Sequence, residues 1–358
     1  MNYRTATLLS AIDVGASGTK VIDINVADII SRIILRWQVT KKHSGMNSYQ
    51  HKDITKIELV DGSEVLHSLD GGQNQALCIY DRKVPTMNHG QEISPNGQMS
   101  YYGIDFGRFL HDPVLAFDPK KFRNPQLKIT YNEAISDTSA SVNEMEVWAE
   151  CFDEKVVTPM GFLSAKELYN YTPAASGVYE YIQLPTDRVL RKMLIQGYLK
   201  AYEPWYQVSE ARLDEDNDKR IPFDWDLEKY YQVRKGIDAQ INEVVQAYAG
   251  GATYTRYLTP TDYWASAQLT ARGGNPAYQT EPGRGGYFIF RCSIDDEVKA
   301  LITGWLPNHC FQFPFGDQQD LADWYDVTKI GSLRLRLKSG GGYSGSNIGV
   351  ILQQLRKY

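Results

Sequence analysis

The residues whose order could do chemistry begin near the start of the chain. Ile12-Asp13-Val14-Gly15-Ala16-Ser17-Gly18-Thr19-Lys20 sets a Gly-rich turn between two apolar runs. In such a turn backbone N–H groups can approach phosphate oxygens while an Asp stands near a metal. Asp70-Gly71-Gly72 could pose as a second phosphate loop, but it follows too early for the subdomain that should separate the two. No later Gly-Gly adenosine motif occurs in helical context, so residues 12–20 read as a polar stretch before the first core strand. Leu213-Asp214-Glu215-Asp216-Asn217-Asp218-Lys219-Arg220 offers Asp at alternate positions, as a calcium loop does. Lys219 stands where such a loop wants Gly, and Trp225 where it wants Glu. A solvated hairpin tip fits the segment better.

Nucleophile and metal signatures are incomplete as well. Gly342-Tyr343-Ser344-Gly345-Ser346 breaks the G-x-S-x-G elbow at its last position and lies between two strands. Carboxylates abound, yet nothing selects a glycosidase pair, because the separation that defines one is spatial. Cys78, Cys151, Cys292 and Cys310 are scattered without a C-x-x-C pair and read as buried free thiols. Arg334, Arg336 and Lys338 alternate with leucines and read as a solvated or edge-protecting strand face. Tyr202, Trp205, Tyr206, Trp225, Tyr230, Tyr231, Tyr248, Tyr254, Tyr257, Tyr263 and Trp264 could form a sugar-stacking platform, although packing in the core and at subunit interfaces is the simpler use. No catalytic, cofactor-binding or metal-ligating residue is assigned, and no cofactor is implied.

Composition bounds what could position such residues. The 358 residues can bury one large core or two of ordinary size. With 42% hydrophobic and 23% charged residues, this is the balance of a globular chain. A net charge of −5, with only Arg4 and Lys20 among the first 25 residues, argues against wrapping nucleic acid and against sequence-specific binding to it. No apolar run approaches the roughly 20 residues of a membrane-spanning helix, and no signal peptide is visible, so synthesis in a cytoplasm is expected. The 24 tyrosines suit a strand-rich protein with wide contact surfaces.

The strongest local signals have period two. Ile33, Leu35, Trp37 and Val39 alternate with polar residues over 30–40, as do Met145, Val147, Ala149 and Cys151 over 142–151, and Leu333, Leu335 and Leu337 over 332–338. Each reads as a strand with one dry and one wet face. Weaker strands are expected at 56–60, 64–69, 76–80, 127–131, 189–199, 287–294 and 348–355. Turns are expected at Asp61-Gly62, Asp70-Gly71-Gly72, Pro95-Asn96-Gly97, Gly273-Gly274-Asn275-Pro276 and Gly340-Gly341-Gly342. Apolar spacing of three to four predicts a helix over 226–249, capped by Asp224 or Asp226 and stopped at Gly250-Gly251. A short helix is expected at 164–169, where Ser164 precedes Glu167 as in a capping box. The halves look alike, each opening on a long arginine-bearing strand, at 30–40 and 187–199. The expected division is an N-terminal segment 1–26, a first roll 27–153, a linker 154–178 with the short helix, and a second roll 179–358. The fold class is mainly β: two tandem eight-stranded antiparallel jelly rolls with a helical, Tyr-rich insertion in the second.

Several segments in order resemble the double jelly-roll major capsid proteins of tailless icosahedral viruses, the tectivirus and corticovirus lineage and its bacterial relatives. They are Ile30-Ser31-Arg32-Ile33-Ile34-Leu35-Arg36, Ile57-Glu58-Leu59-Val60-Asp61-Gly62-Ser63, Val65-Leu66-His67-Ser68-Leu69-Asp70-Gly71 and Glu144-Met145-Glu146-Val147-Trp148-Ala149-Glu150. In the second half they are Leu184-Pro185-Thr186-Asp187-Arg188-Val189-Leu190-Arg191, Phe313-Pro314-Phe315-Gly316-Asp317, Leu333-Arg334-Leu335-Arg336-Leu337 and Val350-Ile351-Leu352-Gln353-Gln354-Leu355-Arg356. The resemblance spans about 27–358 and is weakest over 200–285. It implies a non-enzymatic subunit that forms homotrimeric, pseudo-hexagonal capsomers of a virion shell. Its partners would be other copies, vertex or penton proteins, minor capsid proteins and an internal viral membrane. From the residues alone, the rivals are a two-domain jelly-roll carbohydrate-binding protein or glycoside-acting enzyme, and an ATPase using residues 12–20.

Overall fold

The computed structural model describes residues 1–41, 48–82, 88–91, 98–136, 140–249, 254–271, 273–279, 284–292, 296–342 and 346–358. The expected turn at 95–97, the helix stop at 250–251 and most of the 342–346 loop lie outside them.

The first half comprises β1 (Tyr3–Asp13), β2 (Ser17–Asp23), β3 (Ile30–Lys41), β4 (Ile54–Asp61), β5 (Glu64–Leu69), helix α1 (Gly71–Arg82), β6 (Asn88–Gln91), β7 (Gln98–Asp105), β8 (Pro125–Asn132) and β9 (Ala140–Phe152). Then follow β10 (Gly161–Tyr171), β11 (Tyr179–Leu184), β12 (Leu190–Tyr198), β13 (Val208–Glu215), β14 (Arg220–Asp226) and helix α2 (Leu227–Lys235). After these come β15 (Ile241–Ala249), β16 (Tyr254–Tyr257), β17 (Ser266–Ala271), β18 (Ala277–Gln279), β19 (Tyr287–Arg291) and β20 (Asp296–Gly304). The last three strands are β21 (Cys310–Pro314), β22 (Leu333–Ser339) and β23 (Asn347–Lys357).

Alternation is what makes these segments strands. In β3, Ile33, Leu35, Trp37 and Val39 are buried while Arg32, Ile34, Arg36 and Gln38 stay half-exposed. β9 and β22 behave the same way, as their spacing predicts. The dry faces fill two separate cores. Ile33, Trp37, Leu59, Ile129 and Val147 belong to the first, and Met193, Ile195, Phe313, Leu335 and Val350 to the second.

Each half is a sandwich of four strands on four. The first pairs β1-β9-β3-β7 over β2-β8-β4-β5; the second pairs β10-β23-β12-β21 over β11-β22-β13-β14. One eight-stranded sheet runs through both, in the order β2-β8-β4-β5-β10-β23-β12-β21, and the halves meet where Lys166 of β10 pairs in parallel with Ser68 of β5. Paired residues share a face of a sheet. Ser68 pairs with Glu58 and Lys166 with Leu352, so Leu352 of the second core sits on the face opposite Ile57 and Leu59 of the first. The two outer sheets therefore pack on opposite faces of the shared one.

The halves repeat strand for strand. β1 pairs β9 as β10 pairs β23, β3 lies between β9 and β7 as β12 lies between β23 and β21, and one helix follows β5 and the other β14. Ile30 and Leu190 make equivalent isolated bridges, to Phe117 and Tyr325, and each is followed by the same register shift at its second residue. The two arginine-bearing strands are thus true counterparts. Between β14 and β21 the second half inserts β15 to β20, whose β15 joins β6 in parallel.

Several expectations are corrected. The 226–249 helix is only α2, capped by Asp226 and closed at Gly236. Residues 241–249 are β15, which carries the β-branched Ile241, Val244 and Val245 and is held by β20 along its full length. Residues 164–169 are not helical: they lie within β10, paired through most of that strand with β23, and the Ser164 hydroxyl bonds Leu66 O instead of capping a helix. Residues 76–80 are helical, inside α1. The N-terminal segment 1–26 holds β1 and β2, which close the first sandwich on both of its sheets.

Leu59→Ala and Leu335→Ala empty the centres of the two cores. Each is expected to cost about 2–5 kcal/mol of unfolding free energy, measured by denaturant titration, whereas Lys128→Ala on a wet face should cost far less.

Candidate functional site: the seam between the halves

Helix α1 begins with a reciprocal cap. Gln73 N donates to Asp70 Oδ1 at 2.7 Å, and Asp70 N donates to Gln73 Oε1 at 3.0 Å. Asp70-Gly71-Gly72 is therefore a helix start. Its glycines are required by crowding, since a Cβ on Gly71 would press into His51 O and one on Gly72 would lie 2.6 Å from His51 Cδ2.

The helix is covered on almost every side, with Gly71 to Ile79 all buried. Ala76 and Leu77 pack with Ala165, Leu194, Cys310 and Ile351, the outer face of β10-β23-β12-β21. Polar side chains complete the join. Gln73 Nε2 donates to Glu167 Oε1 (2.6 Å) and Gln196 Oε1 (3.1 Å), and Asn308 Nδ2 donates to Gly72 O (3.1 Å) and Gln75 Oε1 (3.2 Å). Tyr80 Oη donates to Cys310 O at 2.7 Å.

At the far end of α1, Asp81 Oδ1 receives Arg191 Nη1 at 2.8 Å and Lys192 Nζ at 2.6 Å, while Gln353 Nε2 donates to Oδ2 at 2.8 Å. All three charged side chains are at most 3% exposed. Burial pushes the Asp81 carboxyl up, but the two cations and the hydrogen bonds outweigh it and hold it at about 2. Burial also lowers Lys192. The cluster is an electrostatic lock between α1, β12 and β23.

The other end of the seam gathers buried titratable groups. His51 and His309 surround Tyr49, and desolvation keeps both imidazoles neutral, His309 down at about 3. Glu203 is 1% exposed, neither of its carboxylate oxygens is hydrogen-bonded among the described residues, and burial, with Asp262 and Glu228 adding to it, pushes it up to about 7.

The sequence motifs take ordinary structural places. Asp13 Oδ1 accepts from Gly15 N (3.0 Å) and Asn143 N (3.3 Å), closing the turn from β1 to β2. Asp216, Asn217 and Asp218, all with left-handed backbone, form the β13–β14 hairpin tip, where Arg212 and Arg334 neutralise Asp218. The stripe on β22 is paired, Arg334 with Asp214 and Lys338 with Glu210, and Tyr181 and Tyr179 lie beside Arg334 and Arg336. The four cysteines are free and buried. The aromatic cluster is divided: Tyr230 stacks on Phe313, and Tyr231 donates to Asp262 and stacks on Trp205, inside the fold, while Trp264 is exposed. The side chains of Tyr248 and Tyr254 lie outside the described residues. The seam itself escaped sequence reading, because Asp81 and its partners are far apart along the chain.

Asp81→Ala leaves two buried cations without a counter-charge and is expected to cost about 3–5 kcal/mol, read by thermal or denaturant unfolding. A carboxyl whose folded pKa lies above its unfolded one takes up a proton on folding. The cost of keeping Glu203 charged is therefore full above pH 7 and absent below about 4.5. Glu203→Gln should raise stability by about 2–3 kcal/mol at pH 8, the gain fading as unfolding is repeated toward pH 4.5.

No protein-family model matches the sequence, and no curated protein matches it. Solved structures do. The chain is similar to the major capsid protein of Sulfolobus Turreted Icosahedral Virus, at TM-score 0.62 and 10% identity over 100% of this chain and 98% of that one. It is also similar to PBCV-1 VP54, the crystal structure of which was fitted into a reconstruction of the virophage Sputnik (0.59, 11%, 99% and 94%). Against the major capsid protein P2 from Bacteriophage PM2 the values are 0.54, 12%, 99% and 98%. Strand order, the internal repeat and coverage of the whole chain give this protein the double jelly-roll fold of viral major capsid proteins.

Proposed function

We propose that the chain is a structural major capsid protein of an icosahedral virion, assembling with copies of itself and acting without catalysis. One observation carries this reading: the likeness to capsid proteins such as those of Sulfolobus Turreted Icosahedral Virus and PM2 extends over essentially the full length of both chains. The local chemistry agrees. At Asp81 the buried ionic groups are paired with one another, an arrangement suited to fixing the geometry of the join.

The unit of assembly is a homotrimer in which six rolls form a pseudo-hexagonal capsomer. The two rolls of each chain meet between β9 and β10. Contacts to vertex and minor capsid proteins, and to a membrane beneath the shell, belong to the same reading. Synthesis in a host cytoplasm belongs to it too, with the virion as destination. Closed cyclic symmetry suits a chain whose two outer faces point away from each other, because head-to-tail contacts can then close a ring.

The purified chain is expected to sediment at three times its 40.6 kDa mass or as larger assemblies, with hexagonal outlines in negative-stain images. A monomer that persists at high concentration and binds glycans would overturn the assignment in favour of a carbohydrate-binding protein.

A further inference from the structure

The internal repeat leaves two surfaces unmatched. Counted from the caps Asp70 and Asp226, Leu77 of α1 corresponds to Val233 of α2, and Gln73 corresponds to Lys229. Leu77 is buried on Leu194 and Ile351, which are partners across β12 and β23. Val233 is 51% exposed, and the Lys229 side chain is 81% exposed. Counted from the equivalent residues Ile30 and Leu190, Leu194 corresponds to Ile34, whose partner on β9 is Trp148, just as Ile351 is the partner of Leu194. Ile34 and Trp148 are half-exposed at the centre of the outer face of β1-β9-β3-β7. Among the described residues the chain thus carries a helix flank without a sheet and a sheet face without a helix, each the counterpart of one half of a join it makes internally.

The charges match as well. Gln73 lies against Gly349, where a Cβ would be 3.1 Å from Gln73 Nε2. Gly349 is two residues before Ile351 on β23, so its counterpart on β9 is Glu146, two residues before Trp148. A helix docked as α1 is docked would bring Lys229 beside Glu146, which shares Arg36 with Glu144 while Glu150 faces Arg32, three carboxylates to two guanidiniums on that face. The two surfaces belong to halves whose outer sheets pack on opposite faces of the shared sheet, which prevents one chain from satisfying itself and favours a neighbour.

We propose that α2 of one copy docks on the outer face of β9 and β3 of a second copy, Val233 over Ile34 and Trp148 and Lys229 beside Glu146, repeating between chains the α1 seam within each chain. This rests on the assembly reading above and names its contact. Six rolls would then be joined in a ring by six equivalent helix-on-sheet contacts, three within chains and three between them.

Val233→Asp changes an exposed side chain and should leave the monomer folded by circular dichroism while abolishing the trimer in sedimentation runs. The I34C/V233C chain, treated with a mild oxidant, should give covalent species of more than one chain on denaturing gels, and I34C or V233C alone should not. Trimers that persist with Val233→Asp, or an I34C/V233C chain that stays uncrosslinked while trimeric, would overturn the contact and leave the capsid reading standing. A wild-type chain that remains monomeric would instead remove the reading beneath it. If Val233→Asp unfolds the chain, the crosslinking result alone decides.

Discussion

The burial of α1 between the two halves is the constraint on which the rest of the structure depends. A helix covered on all sides must place every polar group it carries, and α1 carries Gln73, Asn74, Gln75 and Asp81 into the dry interior. Its partners come from several strands and loops: Gln196 and Arg191 from β12, Glu167 from β10, Gln353 from β23 and Asn308 from the turn before β21, while His67 of β5 takes Asn74 and the Tyr101 carbonyl of β7 accepts from Gln75. A shift of either half by a residue's rise would leave a desolvated charge facing nothing. The apolar contacts of Leu77 and Ala76 supply attraction but would tolerate sliding, whereas the ion cluster and the amide network set the register.

Much of the sheet was legible from the residues because one face of each strand is wet. β3, β9 and β22 alternate cleanly for that reason. The helices were harder, and each error has a physical source. α1 shows no apolar stripe because it has no solvent side, and Gly71-Gly72, present for close packing against His51, looks like a turn. The Asp70…Gln73 pair was the local signal that marked its start. In β10 the Ser164…Glu167 spacing imitates that signal, but the segment is claimed by β5 and β23 on either side. Ile241, Val244, Val245 and Tyr248 fit a helical spacing, and only pairing with β20 settles them as strand. The seam charges could not be read at all, because Asp81 meets Arg191 across 110 positions and Gln353 across 272.

The repeat shows what a fold conserves when sequence does not. No residue-level similarity links the halves, yet the bridge at Ile30 recurs at Leu190 and the register slip that follows it recurs two residues on. Backbone pairing and the position of a bulge are set by sheet geometry, so they persist while side chains are exchanged. Leu194 with Ile351 and Ile34 with Trp148 occupy the same lattice positions, the first pair sealed by a helix of its own chain.

The span from Asp81 to Gln353 also fixes an order of events during synthesis. α1 leaves the ribosome early, but its counter-charges arrive only with β12, and its last amide partner with the final strand. β23 moreover separates β10 from β12, so the central sheet cannot close until that strand is inserted. Until those strands are in place the flank of α1 that carries Asp81 has no counter-charge. β23 is therefore the strand that completes the molecule: without it β10 and β12 have no neighbour between them and Asp81 lacks its last amide partner.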